Sequence, residues 1–254
     1  QVWNYGVAKG YGFGFYFDFV KEERRKIAYA SSFAHPRSFT PPSQYARILK
    51  LMKRFDAVSV REKGSADLLK TEFNVDGTVV LDPVFLADPS IYEVQIKKVK
   101  KKVTEPFIVS YVLDPTPELN EVLAELSKKT GWKVVLLSDG NNRGWRKTKK
   151  IIHKEIGTVV EDLQVEEWLY YLKNCEMVVT DSCQGTNFSL LFHKPMIIIG
   201  NEKRGIVRLK EIIETFGLEK RYVKKAAEIL ENDRFLEPVD FEKIDQIIEE
   251  KRKI

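Results

Sequence analysis

Val178-Val179-Thr180-Asp181-Ser182-Cys183-Gln184-Gly185-Thr186-Asn187-Phe188-Ser189, followed by Lys194-Pro195-Met196-Ile197-Ile198-Ile199, decides how this chain is read. A β-branched run stops at small polar residues and a glycine, an apolar helical stretch follows, and a second β-branched run begins after a proline. This order predicts strand, tight turn, helix and strand. In an open parallel sheet the turn leaving a strand's carboxyl end is where ligands bind, and the helix after it offers unpaired N–H groups to an anion. Gly185 is expected to let the backbone approach that ligand closely, with Ser182 capping the helix.

The same alternation extends in both directions. Upstream, 27–30, 57–60 and 78–81 read as strands and 43–54 and 64–73 as helices, with Asp82-Pro83 ending the series. It resumes with a strand over 107–113, a helix over 118–129 and a strand over 133–137. A helix around 165–172, a strand over 177–180, a helix over 185–192 and a strand over 196–199 follow. Leu119, Val122, Leu123 and Leu126 repeat at helical spacing, which predicts one buried face. Such alternation predicts α/β architecture with parallel sheets. The polar, lysine-rich stretch 88–104 reads as a linker between two Rossmann-like halves. They are residues 1–100, an N-terminal half with the linker, and residues 101–254, a C-terminal half carrying Thr180 to Thr186. Residues 241–254, with Ile244, Ile247 and Ile248 on one side, read as an amphipathic helix.

Composition narrows the function. The 254 residues are 43% hydrophobic, enough to bury a substantial core. A formal net charge of +5 favours only mild attraction to anions, and the basic runs 97–102 and 143–150 read as solvated faces. No recognisable nucleic-acid module accompanies them, so no nucleic-acid partner is expected. Two cysteines are too few for a disulfide framework, and His35, His153 and His193 lack ligand spacing, so no metal and no cofactor are expected. No apolar run has the length of a membrane span and no signal-peptide pattern opens the chain. The expectation is a cytoplasmic protein with no transmembrane segment, compatible with partners at the inner face of the membrane and with a homo-oligomer. The aromatic opening from Tyr5 to Phe17, interrupted by Gly6, Gly10, Gly12 and Gly14, reads first as a buried strand and turn, and second as a surface against which a sugar face packs.

The motif Thr180-Asp181-Ser182-Cys183-Gln184-Gly185-Thr186, with Phe188-Ser189 and Lys194-Pro195 after it, resembles the T-D-S-F-H-G-T motif of the polysaccharide pyruvyl transferase family. Gln1-Val2-Trp3-Asn4 resembles the end of that family's S-D-Q-V-W-N segment. Lys26 to Phe33, Ser59-Val60-Arg61-Glu62-Lys63-Gly64, Val80-Leu81-Asp82-Pro83, Val165 to Leu169 and Arg204-Gly205-Ile206-Val207-Arg208 continue the resemblance in the family's order. It implies two Rossmann-like halves facing a cleft, as in glycosyltransferases of the B type. Because the chain starts without methionine and inside a family motif, its N-terminal half is expected to be incomplete.

The resemblance further implies transfer of a pyruvyl group from phosphoenolpyruvate onto two hydroxyls of a sugar, in a saccharide or lipid-linked saccharide acceptor. The donor is a substrate carrying a carboxylate and a phosphate, which call for arginines able to make paired hydrogen bonds. Arg61, Arg204 and Arg208, with Ser182, Cys183, Gly185 and Thr186, are expected to hold it. A surface ion pair with Glu62 or Asp56 is the competing role for Arg61. Gln184 stands where the family has histidine, and an amide carries no proton at neutral pH. Gln184 is therefore a phosphate partner beside another acid, for which Glu62, Asp181 and His35 are candidates, or the reaction has been altered. Cys183, with no adjoining histidine, reads as a small buried thiol, and His193 as structural. A nucleotide-sugar-dependent glycosyltransferase and a catalytically silent binding subunit of a polysaccharide-synthesis assembly remain alternatives.

Overall fold

The structure, a computed structural model, describes residues 1–100, 102–138, 155–202, 206–231 and 233–254. The chain forms two compact units. The first comprises Gln1–Pro83, Gly205–Glu211 and Ile248–Ile254, and the second Val84–Arg204 and Ile212–Ile247.

In the first unit a short helix α1 (Tyr5–Ala8) precedes strand β1 (Ile27–Ser31), helix α2 (Pro42–Met52), strand β2 (Ala57–Val60), helix α3 (Lys63–Phe73) and strand β3 (Thr78–Val79). The strands pair in parallel in the order β1-β2-β3. Apolar side chains of both longer helices, Ile48, Met52, Leu69 and Phe73, meet Val60, Trp3 and Phe33 in one core. Helix α3 ends on Asn74, whose φ of 49° is a left-handed stop that asparagine tolerates. Strand β1 is bulged between Ala28 and Ser31. There Ala30, at φ 50°, donates its N–H to Ser59 Oγ at 2.9 Å. The aromatic opening is not a strand. Its glycines interrupt the two-residue alternation that a strand needs, so it folds into α1 and tight turns, burying Trp3 and Tyr16 while Tyr11 and Phe19 stay exposed.

The second unit contains α4 (Ser90–Ile96), β4 (Phe107–Tyr111), α5 (Glu118–Thr130), β5 (Lys133–Leu137), β6 (Thr158–Val160), α6 (Val165–Asn174), β7 (Met177–Thr180), α7 (Cys183–Leu191), β8 (Met196–Ile199) and β9 (Tyr222–Val223). Helices α8 (Ile206–Phe216) and α9 (Phe241–Lys251) have residues in both units. Among the described residues the sheet order is β6-β5-β4-β7-β8-β9, all parallel. Strands β7 and β8 are buried along their whole length, as expected of a sheet covered on both faces. Leu119, Val122, Leu123 and Leu126 of α5 pack into this core as their spacing predicts.

The expected linker 88–104 is corrected. Its residues 90–96 form α4, and the compact units divide at Pro83 and Val84. Tyr92 packs edge-on against Phe188 and Phe192, and Glu93 pairs with Lys173 of α6. Polar residues are therefore tied to the second unit by a few aromatic and ionic contacts, which a composition reading does not register.

Candidate functional site

The second unit winds outward from β4 through β5 to β6, then returns to the other side of β4 and winds through β7 and β8 to β9. The order reverses between β4 and β7, and the carboxyl ends at such a reversal leave a crevice for ligands. Asp181 sits there, 4% exposed. Its Oδ1 accepts from Leu113 N at 2.6 Å, and its Oδ2 from Asp114 N at 3.1 Å and Asn201 Nδ2 at 2.6 Å. Asn201 also donates to Asp114 Oδ2 at 2.9 Å. Asp181 thus ties together the loops after β4, β7 and β8. Burial pushes its carboxyl above the ordinary carboxylate range, against the opposing effect of those hydrogen bonds. Sequence reasoning missed Asn201. The available signal was a Gly-Asn pair directly after the apolar run of β8.

Ser182 caps α7, its Oγ accepting from Gly185 N at 3.3 Å. The Thr186 hydroxyl turns back to donate to Ser182 O at 3.0 Å, and its residue is fully buried. The need for glycine at 185 has a source inside the fold. A Cβ there would lie 2.4 Å from Thr180 Oγ1, an atom that donates to Tyr111 O at 2.7 Å and accepts from Ser182 N at 3.0 Å. Gln184 and Cys183 are half-buried in the first turn. Asn187 Nδ2 lies 3.5 Å from Gln184 Oε1, while its own Oδ1 is buried without a partner. The fully buried thiol is Cys175, which burial pushes up to about 12. His193, at φ 53° after α7, stacks on Phe241 and meets Asp245 Oδ1 at 3.0 Å, a structural contact.

The first unit brings together Arg61, Glu62 and Arg208. Arg61 follows β2 and pairs through Nη1 with Asp82 Oδ2 at 2.5 Å, not with Glu62 or Asp56, while its Nε is buried without a hydrogen-bond partner. Glu62, 1% exposed, accepts from Ser32 Oγ and Ser65 Oγ, each at 2.8 Å, so both its oxygens are engaged. Arg61, Arg208, Glu62 and Asp82 all act electrostatically on the position of Gln1, so the four charges surround one point. His35 lies against Phe39 in the same unit, the two rings tilted by 50°. Arg204 lies outside the described residues. The predicted site residues are thus divided by unit, Arg61, Glu62 and Arg208 in the first and Asp181 to Thr186 in the second.

A cavity of about 570 Å³ opens at the ends of β4, β7, β8 and β9, within the second unit. Charged residues on its lining are Asp114, Glu118, Asp181, Glu202, Lys224 and Lys225. Among the described residues no three His, Cys, Asp or Glu side chains gather as metal ligands, and no helix is long and apolar enough to cross a membrane.

A family model described as polysaccharide pyruvyl transferase matches residues 4–203. The chain belongs to the polysaccharide pyruvyl transferase family. No curated protein gives a significant match to the sequence. Among solved structures, the UDP-GlcNAc 2-epimerase of Methanocaldococcus jannaschii, in complex with UDP-GlcNAc and UDP, is similar with a TM-score of 0.51 at 14% identity, covering 79% of this chain and 56% of that one. The UDP-GlcNAc 2-epimerase of Neisseria meningitidis is similar at 0.43 and 14% identity, covering 81% and 63%. The O-GlcNAc transferase of Thermobaculum terrenum is similar at 0.42 and 10% identity, covering 80% and 41%. The chain therefore spans less than two thirds of the length of these structures, and the likeness is one of fold. At a TM-score of 0.51 the Methanocaldococcus jannaschii structure shares the α/β fold described above.

Proposed function

We propose that this family member transfers the pyruvyl group of phosphoenolpyruvate to a saccharide, forming a cyclic ketal and releasing phosphate. The observation that carries the reading is the family match across residues 4–203, which includes both the Arg61-Glu62 segment and the Thr180 to Thr186 segment. The reaction balances without oxidation. The enol carbon C3 gains a proton and becomes a methyl group, and one sugar hydroxyl adds at C2. The second hydroxyl then takes the place of phosphate, and of the two hydroxyl protons one balances that taken up at C3 while the other leaves with the inorganic phosphate.

Two guanidinium groups in one unit, Arg61 and Arg208, suit a donor with two anionic ends. Asp82 holds Arg61 in place, and the buried Arg61 Nε supplies a further N–H to that region. Glu62 is fixed by two serine hydroxyls, which suits it to setting the start of α3 beside Arg61 more than to delivering a proton. The test is phosphate release from phosphoenolpyruvate by the full chain across a panel of saccharide and lipid-linked acceptors. Acceptor-dependent release supports the reading. A thermal shift with uridine diphosphate and none with phosphoenolpyruvate replaces it with a glycosyltransferase.

A further inference from the structure

Helix α4 turns apolar side chains toward solvent. Its inward side is already occupied: Tyr92 packs edge-on against Phe188 and Phe192, its hydroxyl donates to Val84 O at 3.2 Å, and Ile96 is buried. Ile91 and Val94, one helical turn apart, share the opposite side and are 55% and 59% exposed. Leu86, just before the helix, is 49% exposed. The outward face of a surface helix normally carries polar residues, and this one does not.

A cationic run follows at once. Lys97, Lys98, Lys100 and Lys102 are all exposed, while Val99 between them is buried. Val103 N–H donates to the Tyr170 hydroxyl at 2.8 Å, which donates back to Val103 O at 3.3 Å. The run is thereby anchored on α6 at one end and on the buried turn after α4 at the other, so its charges stay beside the apolar face. The carboxyl groups of the same segment do not cancel them. Asp88 accepts from Ser90 N at 2.8 Å at the start of α4, and Glu93 is offset by Lys173.

Exposed aliphatic residues flanked by lysines match one kind of surface closely. At an anionic bilayer the aliphatic groups enter the boundary between headgroups and acyl chains, and the lysine stems reach back so that their ammonium groups meet the phosphates. A nucleic acid would neutralise the lysines and leave Ile91 and Val94 in water. A second copy of the chain, packed α4 against α4, would bring two lysine runs together.

We propose that α4 and the lysine run after it form a docking surface for an anionic phospholipid bilayer. Docking needs neither donor nor acceptor, so it stands apart from the pyruvyl-transfer reading.

The test is co-sedimentation of the full chain with vesicles of phosphatidylcholine alone and of equimolar phosphatidylcholine and phosphatidylglycerol. Binding is expected to the mixed vesicles only, and to weaken as salt is added. Ile91→Gln with Val94→Gln is expected to reduce the partition coefficient by about tenfold. Lys97→Gln with Lys100→Gln and Lys102→Gln is expected to reduce it by about 100-fold, at about fivefold per lysine. All five positions are exposed, so both variants are expected to keep the wild-type melting temperature, and circular dichroism confirms that each is folded. No binding to the mixed vesicles, equal binding to both kinds, or binding that neither set of substitutions weakens would each overturn the surface. Competition by inorganic phosphate at matched ionic strength would make it a site for free anions instead. A dimer in sedimentation equilibrium that the Ile91 and Val94 substitutions dissociate would assign the face to a second copy.

Discussion

Thr180 Oγ1 occupies the space that a side chain at Gly185 would need. The 2.4 Å separation from a Cβ at 185 is far below contact distance, and the hydroxyl cannot swing away without giving up its bonds to Tyr111 O and Ser182 N. Gly185→Ala is therefore expected to destabilise the protein by about 1–3 kcal/mol, as overpacking of a tight core does. Denaturant unfolding with unchanged m-value measures it. Unaltered stability with weakened donor binding would return Gly185 to the role of ligand neighbour.

Arg61 reaches Asp82 through Nη1 while acting on the same point as Arg208. Arg61→Lys keeps the charge and loses the planar fork, so phosphoenolpyruvate affinity is expected to fall by about 1–3 kcal/mol. Calorimetric titration of phosphoenolpyruvate into both proteins checks this, and equal affinities remove Arg61 from the donor site.

Much of the fold was legible because its strands are short apolar runs with clean stops. The strands over 57–60, 133–137, 177–180 and 196–199 end where the sequence places their ends. Strands β6 and β9, of three and two residues, are too short to show periodicity, and α4 is set by the partners it meets. At the site, the residue types were readable and their partners were not. Asp82 stands 21 residues from Arg61, and Asn201 stands 20 from Asp181. Gly185 was marked for a ligand's approach, whereas the neighbour that the fold itself places against it is a threonine hydroxyl of the preceding strand.

Asp181 gives a pH signature. Its folded pKa is raised, chiefly by burial, so the folded state holds this proton more tightly than the unfolded chain does. The stability it contributes is present below the unfolded value and is lost as pH rises through the folded value. Asp181→Asn removes that slope. It also turns an amide N–H₂ toward donors that now bond to carboxylate, at an expected cost of about 1–3 kcal/mol. Urea unfolding of both proteins from about pH 4 to 7 is expected to show wild type losing stability relative to the variant as pH rises, and parallel curves would contradict the raised value.

Gln184 sits in the first turn of α7, half-buried beside Asn187. If a histidine at this position delivers the proton to the donor's enol carbon, Gln184→His is expected to raise turnover by about 10²-fold. The positive end of the helix dipole disfavours an imidazolium there, so the gain is expected to be largest at acidic pH and to fade toward neutrality. That pH dependence separates a proton donor from a neutral hydrogen-bonding imidazole, whose effect would instead grow as pH rises and the imidazolium loses its proton. Turnover that falls or stays level makes the glutamine an adapted phosphate partner working beside a different acid. Absence of phosphate release from both proteins, folded and tested across the whole acceptor panel, would leave the silent binding subunit as the better reading.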